Sequence, residues 1–221
     1  MILRRVAQVI SVLCHPLLGV TYMLIILLLV NPYLFGVNHI SDSKVLLLLV
    51  FFTTFFIPGI AVVLMKFLGL IESLEMKERQ DRTIPYIATG VFYLWMFINV
   101  KGNPDLPLIF KSCVLGATLA LFLAFFINLF SKISIHAVGM GGLTGMTVIT
   151  MALYSYGYFM LHTPFWGYLQ VSMNLLLMVV LLLSGIVGTC RLILNAHDIQ
   201  DLYGGFLVGM VTQFFALQIL M

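Results

Sequence analysis

Residues 43–68 read SKVLLLLVFFTTFFIPGIAVVLMKFL. No charged residue lies between Lys44 and Lys66, so the segment is long enough to cross a membrane core, which takes about 20 mostly apolar residues. Similar runs lie at 6–30, 108–130, 137–160, 168–190 and 202–221, and a shorter one at 86–100. The sequence therefore predicts an all-α, polytopic membrane helix bundle with six or seven spanning helices.

Composition supports the same class. Of the 221 residues, 62% are hydrophobic and 9% are charged, whereas an average soluble domain has roughly 25% charged residues. Too few polar side chains are present to cover a soluble surface. We expect a single membrane domain over 1–221, with membrane lipids as partners and no nucleic acid, because the net charge of +3 suits lipid headgroups and topology. The oligomeric state is not indicated.

The polar residues gather in three clusters, at 77–85, 132–136 and 190–201. If 86–100 and 108–130 both cross the membrane, the first two clusters lie on one face. The crossings at 137–160 and 168–190 then return the third cluster to that face. We therefore expect the three clusters to form one site at one membrane surface.

The third cluster carries the clearest chemistry. His197 and Asp201 are four residues apart, which on a helix places them on the same face. An aspartate that accepts a proton from one imidazole nitrogen leaves the other nitrogen free to react. Arg191 can share an anion with His197 if the chain bends near Asn195. The alternative is a turn whose charges serve topology, with His197 and Asp201 as an incidental pair.

The spacing Arg-x5-His-x3-Asp at Arg191, His197 and Asp201 resembles the third signature of the type 2 phosphatidic acid phosphatase superfamily. Members usually have a serine where this chain has Cys190. The resemblance implies that His197 is the nucleophile that forms a phosphohistidine. It also implies that Asp201 orients His197 and that Arg191 binds the phosphoryl oxygens.

The second cluster contains Ser134 and His136. A serine at a helix start is a good N-cap, and the free amides there favour an anion. The family's second signature is Pro-Ser-Gly-His, of which Ser134 and His136 match while Ile133 and Ile135 do not. The resemblance implies that Ser134 binds phosphate and that His136 is the general acid. The alternative is an interfacial histidine beside a helix cap.

The first cluster matches the family pattern Lys-x6-Arg-Pro at Lys77 and Pro85, with Ile84 in the arginine position. We expect Lys77 and Arg82 to bind substrate phosphate. These cations, with Arg191, can neutralise a phosphoryl group, so we expect no metal and no cofactor. The alternative is a solvated helical turn with acid-to-base pairs four residues apart, namely Glu75 with Arg79 and Glu78 with Arg82.

The resemblance implies a membrane lipid phosphatase that hydrolyses a lipid phosphomonoester or diphosphate. One alternative is a phosphotransferase of the same family, which passes the phosphoryl group to a second lipid. Another is a non-enzymatic transporter or scaffold, for which charges near helix midpoints and broken helices would be expected. The sequence leaves the identity of the lipid open.

The expected location is the cell membrane, which is the inner membrane in a Gram-negative cell. Basic residues are more numerous on the cluster face, which favours a cytoplasmic site, but several of them are the candidate phosphate ligands. The resemblance points instead to the periplasmic face, which we adopt as the expectation. We interpret His15 as a satisfied buried histidine, His39 and His162 as loop residues, and Gly205 with Gly209 as helix packing.

Overall fold

A computed structural model of the chain describes residues 2–74, 76, 78–163 and 167–221. Its described part is predominantly helical, and seven helical segments are long and apolar enough to cross a membrane. The predicted all-α polytopic bundle is therefore confirmed. The marginal run at 86–100 belongs to one of these segments, Gln80–Gly102.

The helices carry the following bounds: α1 Ile2–Leu13, α2 Gly19–Val30, α3 Lys44–Phe51, α4 Ile57–Phe67, α5 Thr83–Gly102, α6 Leu108–Phe130, α7 Ile135–Leu153, α8 Met173–Ile193 and α9 Ile199–Leu220. The first two candidate spans are each irregular. A 3₁₀ turn at Pro16–Leu18 separates α1 from α2, and a π-helical turn at Phe52–Phe56 separates α3 from α4. Pro58 follows the π turn, where its ring excludes the regular bond to the preceding turn.

Two strands replace helix that the sequence predicts. β1 (Tyr158–Thr163) pairs antiparallel with β2 (Gly167–Ser172), so the predicted helices 137–160 and 168–190 are wrong at this end. Gly157 has a φ of 83° and Gly167 a φ of 67°, values that other residues rarely adopt. Hydropathy alone missed the hairpin because aromatic and β-branched residues are apolar yet favour strands.

The closest helix pair is α7 with α9, which run side by side from the cluster end of the bundle. Glycines on both helices make this approach possible. A Cβ at Gly141 or Gly145 would collide with the α9 backbone, and one at Gly205 or Gly209 would collide with the α7 backbone. The predicted packing role of Gly205 and Gly209 is confirmed. This contact fixes α7 against α9, the helices that begin beside His136 and His197.

Candidate active site

The connection between α8 and α9 positions His197. α8 ends at Ile193, Asn195 adopts the left-handed conformation with a φ of 52°, and Asp198 is the N-cap of α9. The predicted bend near Asn195 is confirmed. His197 therefore lies in the connection before α9, and the expectation that His197 and Asp201 share a helix face is wrong.

His197 and Asp201 nevertheless form the predicted pair. Nδ1 of His197 lies 3.0 Å from Oδ2 of Asp201, and the side chain of His197 is only 2% exposed. A carboxylate accepts hydrogen bonds, so Nδ1 carries the proton and donates it to Asp201. The lone pair of His197 is thus on Nε2, the nitrogen left for reaction.

The pKa of His197 is lowered from 6.5 to about 4. Burial is the largest cause, because it disfavours the charged imidazolium. The positive charges of Arg82 and Arg191 act in the same direction, whereas Asp201 opposes them. At neutral pH His197 is therefore the uncharged imidazole that nucleophilic attack requires.

Residues from the three sequence clusters meet at this point. An Arg82 guanidinium nitrogen donates to the carbonyl of Ile133 at 3.3 Å. The amide of Ser134 in turn donates to the carbonyl of Asp201 at 3.3 Å. The predicted convergence of the first, second and third clusters is confirmed for these residues.

Arg82 is held by the first cluster as well as by the second. Its Nε donates to the carbonyl of Met76 at 2.9 Å. A guanidinium has five N–H donors, so further donors are left for an anion. Residues 80–82 form a 3₁₀ turn that follows bends at Glu78 and Arg79, so Glu78 and Arg82 do not share a regular α-helical turn. Lys77 and Glu75 lie outside the described residues.

Ser134 departs from its predicted role as a capping side chain. It is the N-cap residue of α7, but its hydroxyl makes no capping bond. The hydroxyl is fully buried and has no hydrogen-bond partner among the residues that the structure describes. A buried hydroxyl without a partner is costly, and a phosphate oxygen is one group that can satisfy it.

His136 is held by a backbone group of α1. Its Nε2 lies 3.0 Å from the carbonyl oxygen of Ser11. Because a carbonyl only accepts, Nε2 carries the proton and Nδ1 is an acceptor. Nδ1 is buried and has no partner within the described part of the chain. His136 therefore becomes an acid only after Nδ1 takes up a proton, which gives the ring its second proton.

The structure adds His15 to this group. The rings of His15 and His136 form a T-shaped pair with centroids 5.6 Å apart, and Nδ1 of His15 accepts from the amide of Leu17 at 3.3 Å. Arg191 interacts electrostatically with His15, His136 and His197. His15 is half-buried and its Nδ1 has a partner, so it is a satisfied histidine as expected, although part of its ring is exposed. A polar residue within an apolar run was the signal.

A cavity of about 200 Å³ adjoins Asp201. Its polar lining includes Ser131, Lys132 and Gln200. Lys132 belongs to the second cluster, although sequence reasoning gave it no role. Asp201 lines this cavity, whereas His197 and Arg191 do not.

No three His, Cys, Asp or Glu side chains of the described ranges are grouped so that they could hold a metal ion. The arrangement is instead a neutral histidine that is held by a carboxylate and interacts electrostatically with two half-buried arginines, Arg82 and Arg191. Cations of this kind bind phosphate through planar, charge-assisted hydrogen bonds.

Neither a protein-family model, nor a curated protein, nor a solved structure matches the chain. The resemblance to the type 2 phosphatidic acid phosphatase superfamily therefore stands on the motif residues alone.

Proposed function

We propose that this chain is a membrane lipid phosphatase that hydrolyses a lipid phosphomonoester or diphosphate through a phosphohistidine on His197. The main support for the proposal is the protonation state of His197 and the charges near it. Its Nδ1 proton is held by Asp201 at 3.0 Å, and the charges of Arg82 and Arg191 act on the ring. A neutral nucleophile between cations suits attack on an anionic phosphoryl group.

In the first step, the Nε2 lone pair of His197 attacks phosphorus, and the bond from phosphorus to the leaving oxygen breaks. That oxygen takes a proton from Nδ1 of His136, which Nδ1 has first taken up from water while Nε2 stays bonded to the carbonyl of Ser11. In the second step, water attacks the phosphohistidine, the P–N bond breaks, and His136 takes the proton of the water. Arg82 and Arg191 balance the phosphoryl charge in both steps, and the family resemblance assigns the same role to Lys77.

The lipid substrate is inferred from location. The candidate residues lie at the ends of spanning helices, where a headgroup at the membrane surface meets them directly. On the family resemblance, we place this surface on the periplasmic side. A phosphotransferase would use the same residues and differ in the acceptor, which is a second lipid instead of water.

The transporter alternative gains one feature from the broken first span, because transporters often bind substrate at broken helices. The break, however, lies beside His136 at the same end as Arg191 and His197. Charged groups near the helix midpoints are what an ion path needs. The charges of this group cluster at helix ends, which favours the enzyme.

The test is release of inorganic phosphate from a panel of lipid phosphates in detergent, with and without a chelator. We expect His197→Ala to abolish release while the protein still folds, and His39→Ala, at a position assigned no role, to leave it unchanged. Parent-like turnover in His197→Ala would overturn the mechanism. Loss of activity with chelator, restored by Mg²⁺, would indicate another catalytic class.

A rapid-quench experiment with radiolabelled substrate tests the intermediate. We expect an acid-labile phosphoryl group on the parent protein and none on His197→Ala. Products then separate the two enzymatic alternatives, since hydrolysis releases inorganic phosphate, whereas phosphotransfer gives a new lipid phosphate.

A further inference from the structure

α1 carries three distinct faces when its residues are projected at about 100° per residue. The buried small residues Ala7 and Ser11 face the protein, where α1 packs on α8. An exposed apolar face is formed by Ile2, Val6, Val9 and Leu13. An exposed polar face is formed by Arg4, Arg5 and Gln8, with Val12 as its one apolar member. A helix with separate apolar and basic exposed faces is typical of a membrane–water interface.

The first candidate span is longer than a membrane requires. Ile2–Val30 contains 29 residues, which as a straight helix would measure about 43 Å against a hydrocarbon core of about 30 Å. The break at Pro16–Leu18 divides it. Most of α2 is buried in the bundle, whereas most of α1 is exposed. α1 is therefore free to follow a direction different from that of α2.

The end of α1 lies at the candidate active site. The carbonyl of Ser11 accepts the hydrogen bond from His136. His15, just after α1, interacts electrostatically with Arg191. Arg4 and Arg5 are exposed and α1 contains no acidic residue. At the membrane surface these two arginines meet anionic headgroups.

We infer that α1 lies in the membrane interface beside the candidate active site and binds anionic lipid headgroups through Arg4 and Arg5. Its apolar face, formed by Ile2, Val6, Val9 and Leu13, enters the outer acyl region. Because Ser11 of this helix holds His136, the lipid contact also fixes the position of a site residue. The inference does not depend on the proposed enzymatic activity.

Spin-label depth measurements test the orientation of α1. Single cysteines are introduced at the four apolar positions Ile2, Val6, Val9 and Leu13, and separately at Gln8, in a background without Cys14, Cys113 and Cys190. The labelled proteins are reconstituted in liposomes. Collision rates with oxygen and with a water-soluble nickel chelate give the depth of each label. We expect equal depths at all four positions and high nickel accessibility at Gln8.

A matched series on the lipid-exposed face of α8, at Leu175, Met178 and Leu182, provides the spanning control. There the depth should change by about 1.5 Å per residue. The same gradient along α1 would overturn the inference, because it would mean that α1 crosses the membrane.

Local lipid quenching tests the partner. A fluorophore at Val9 is exposed to brominated phosphatidylglycerol or brominated phosphatidylcholine in mixed vesicles. We expect stronger quenching by the anionic lipid, and in Arg4→Gln/Arg5→Gln a preference reduced by about fivefold for each arginine. Lys101→Gln/Lys111→Gln should retain the parent's preference. Equal quenching by the two lipids in the parent, or an unchanged preference in the arginine variant, would overturn the assignment.

Discussion

Replacing Gly205 by alanine tests whether the contact between α7 and α9 builds the candidate site. An added Cβ would lie 2.6 Å from the carbonyl oxygen of Ser134 and 3.0 Å from Cβ of Ala137. Both neighbours belong to the start of α7, and neither is the flexible end of a long side chain. The two helices must therefore separate to accept the methyl group.

The size of the effect follows from these distances. A carbon–oxygen contact is ordinarily about 3.3 Å or longer, so Gly205→Ala requires a separation of about 0.7 Å. Overpacking of this kind typically costs about 1–3 kcal/mol. Displacing reacting groups by about 1 Å can reduce turnover about 100-fold. Ser134 also donates a backbone hydrogen bond to Asp201, so a displacement of Ser134 also disturbs the His197–Asp201 pair. For this smaller displacement we expect turnover to fall by at least about tenfold.

A thermal melt in detergent with a fluorogenic thiol dye measures how much Gly205→Ala destabilises the protein. Cys113 is fully buried and becomes reactive when the bundle opens. For a chain of this size, each kcal/mol corresponds to about 2–4 °C in Tm. The control is Gly185→Ala in α8, whose added Cβ meets nothing within 4 Å. If Gly205→Ala matched Gly185→Ala in both Tm and phosphate release, the reasoning would be refuted.

Three further predictions concern charge, burial and topology. Arg191→Gln removes a positive charge that lowers the pKa of His197, so we expect that pKa to rise and the acid limb of the pH–rate profile to move to higher pH; an unmoved limb contradicts this. Gln213 is fully buried and both of its amide atoms have no partner among the described residues, so Gln213→Met should stabilise the protein by about 1–3 kcal/mol, and a lower melting temperature would argue against it. A single cysteine at Gln80 should react with an impermeant reagent in intact cells if the site is periplasmic, and labelling only after permeabilisation would reverse the orientation.

The sequence predicted the class of fold because hydropathy is a local property. A run such as 43–68 must be buried in lipid whatever its neighbours are. The bend near Asn195 could also be predicted from a short segment. Arg191 and His197 are six residues apart, so an unbroken helix would point them in different directions and Arg191 could approach His197 only if the helix stopped between them. The hairpin at 158–172 was missed because the same apolar residues serve a helix or a strand.

The candidate site was predicted as a set of residue types, while its hydrogen bonds depended on the tertiary structure. The pairing of His197 with Asp201 could be expected from their spacing, whereas the bond from His136 to the carbonyl of Ser11 could not. Every residue has a carbonyl, so the sequence marks none of them as a partner. The T-shaped contact of His15 with His136 likewise joins residues far apart in the chain.

The sequence by itself determined that this protein is a membrane helix bundle with its charges at helix ends, because the transfer free energy of each side chain is fixed by its chemistry. Only the tertiary structure decided which of those charges meet. The approach of α7 to α9 over Gly205 and Gly209 brings Ser134 to Asp201, and the break before α2 brings Ser11 and His15 to His136. These contacts depend on how helices pack, which is a property of pairs of distant segments and is absent from any one of them.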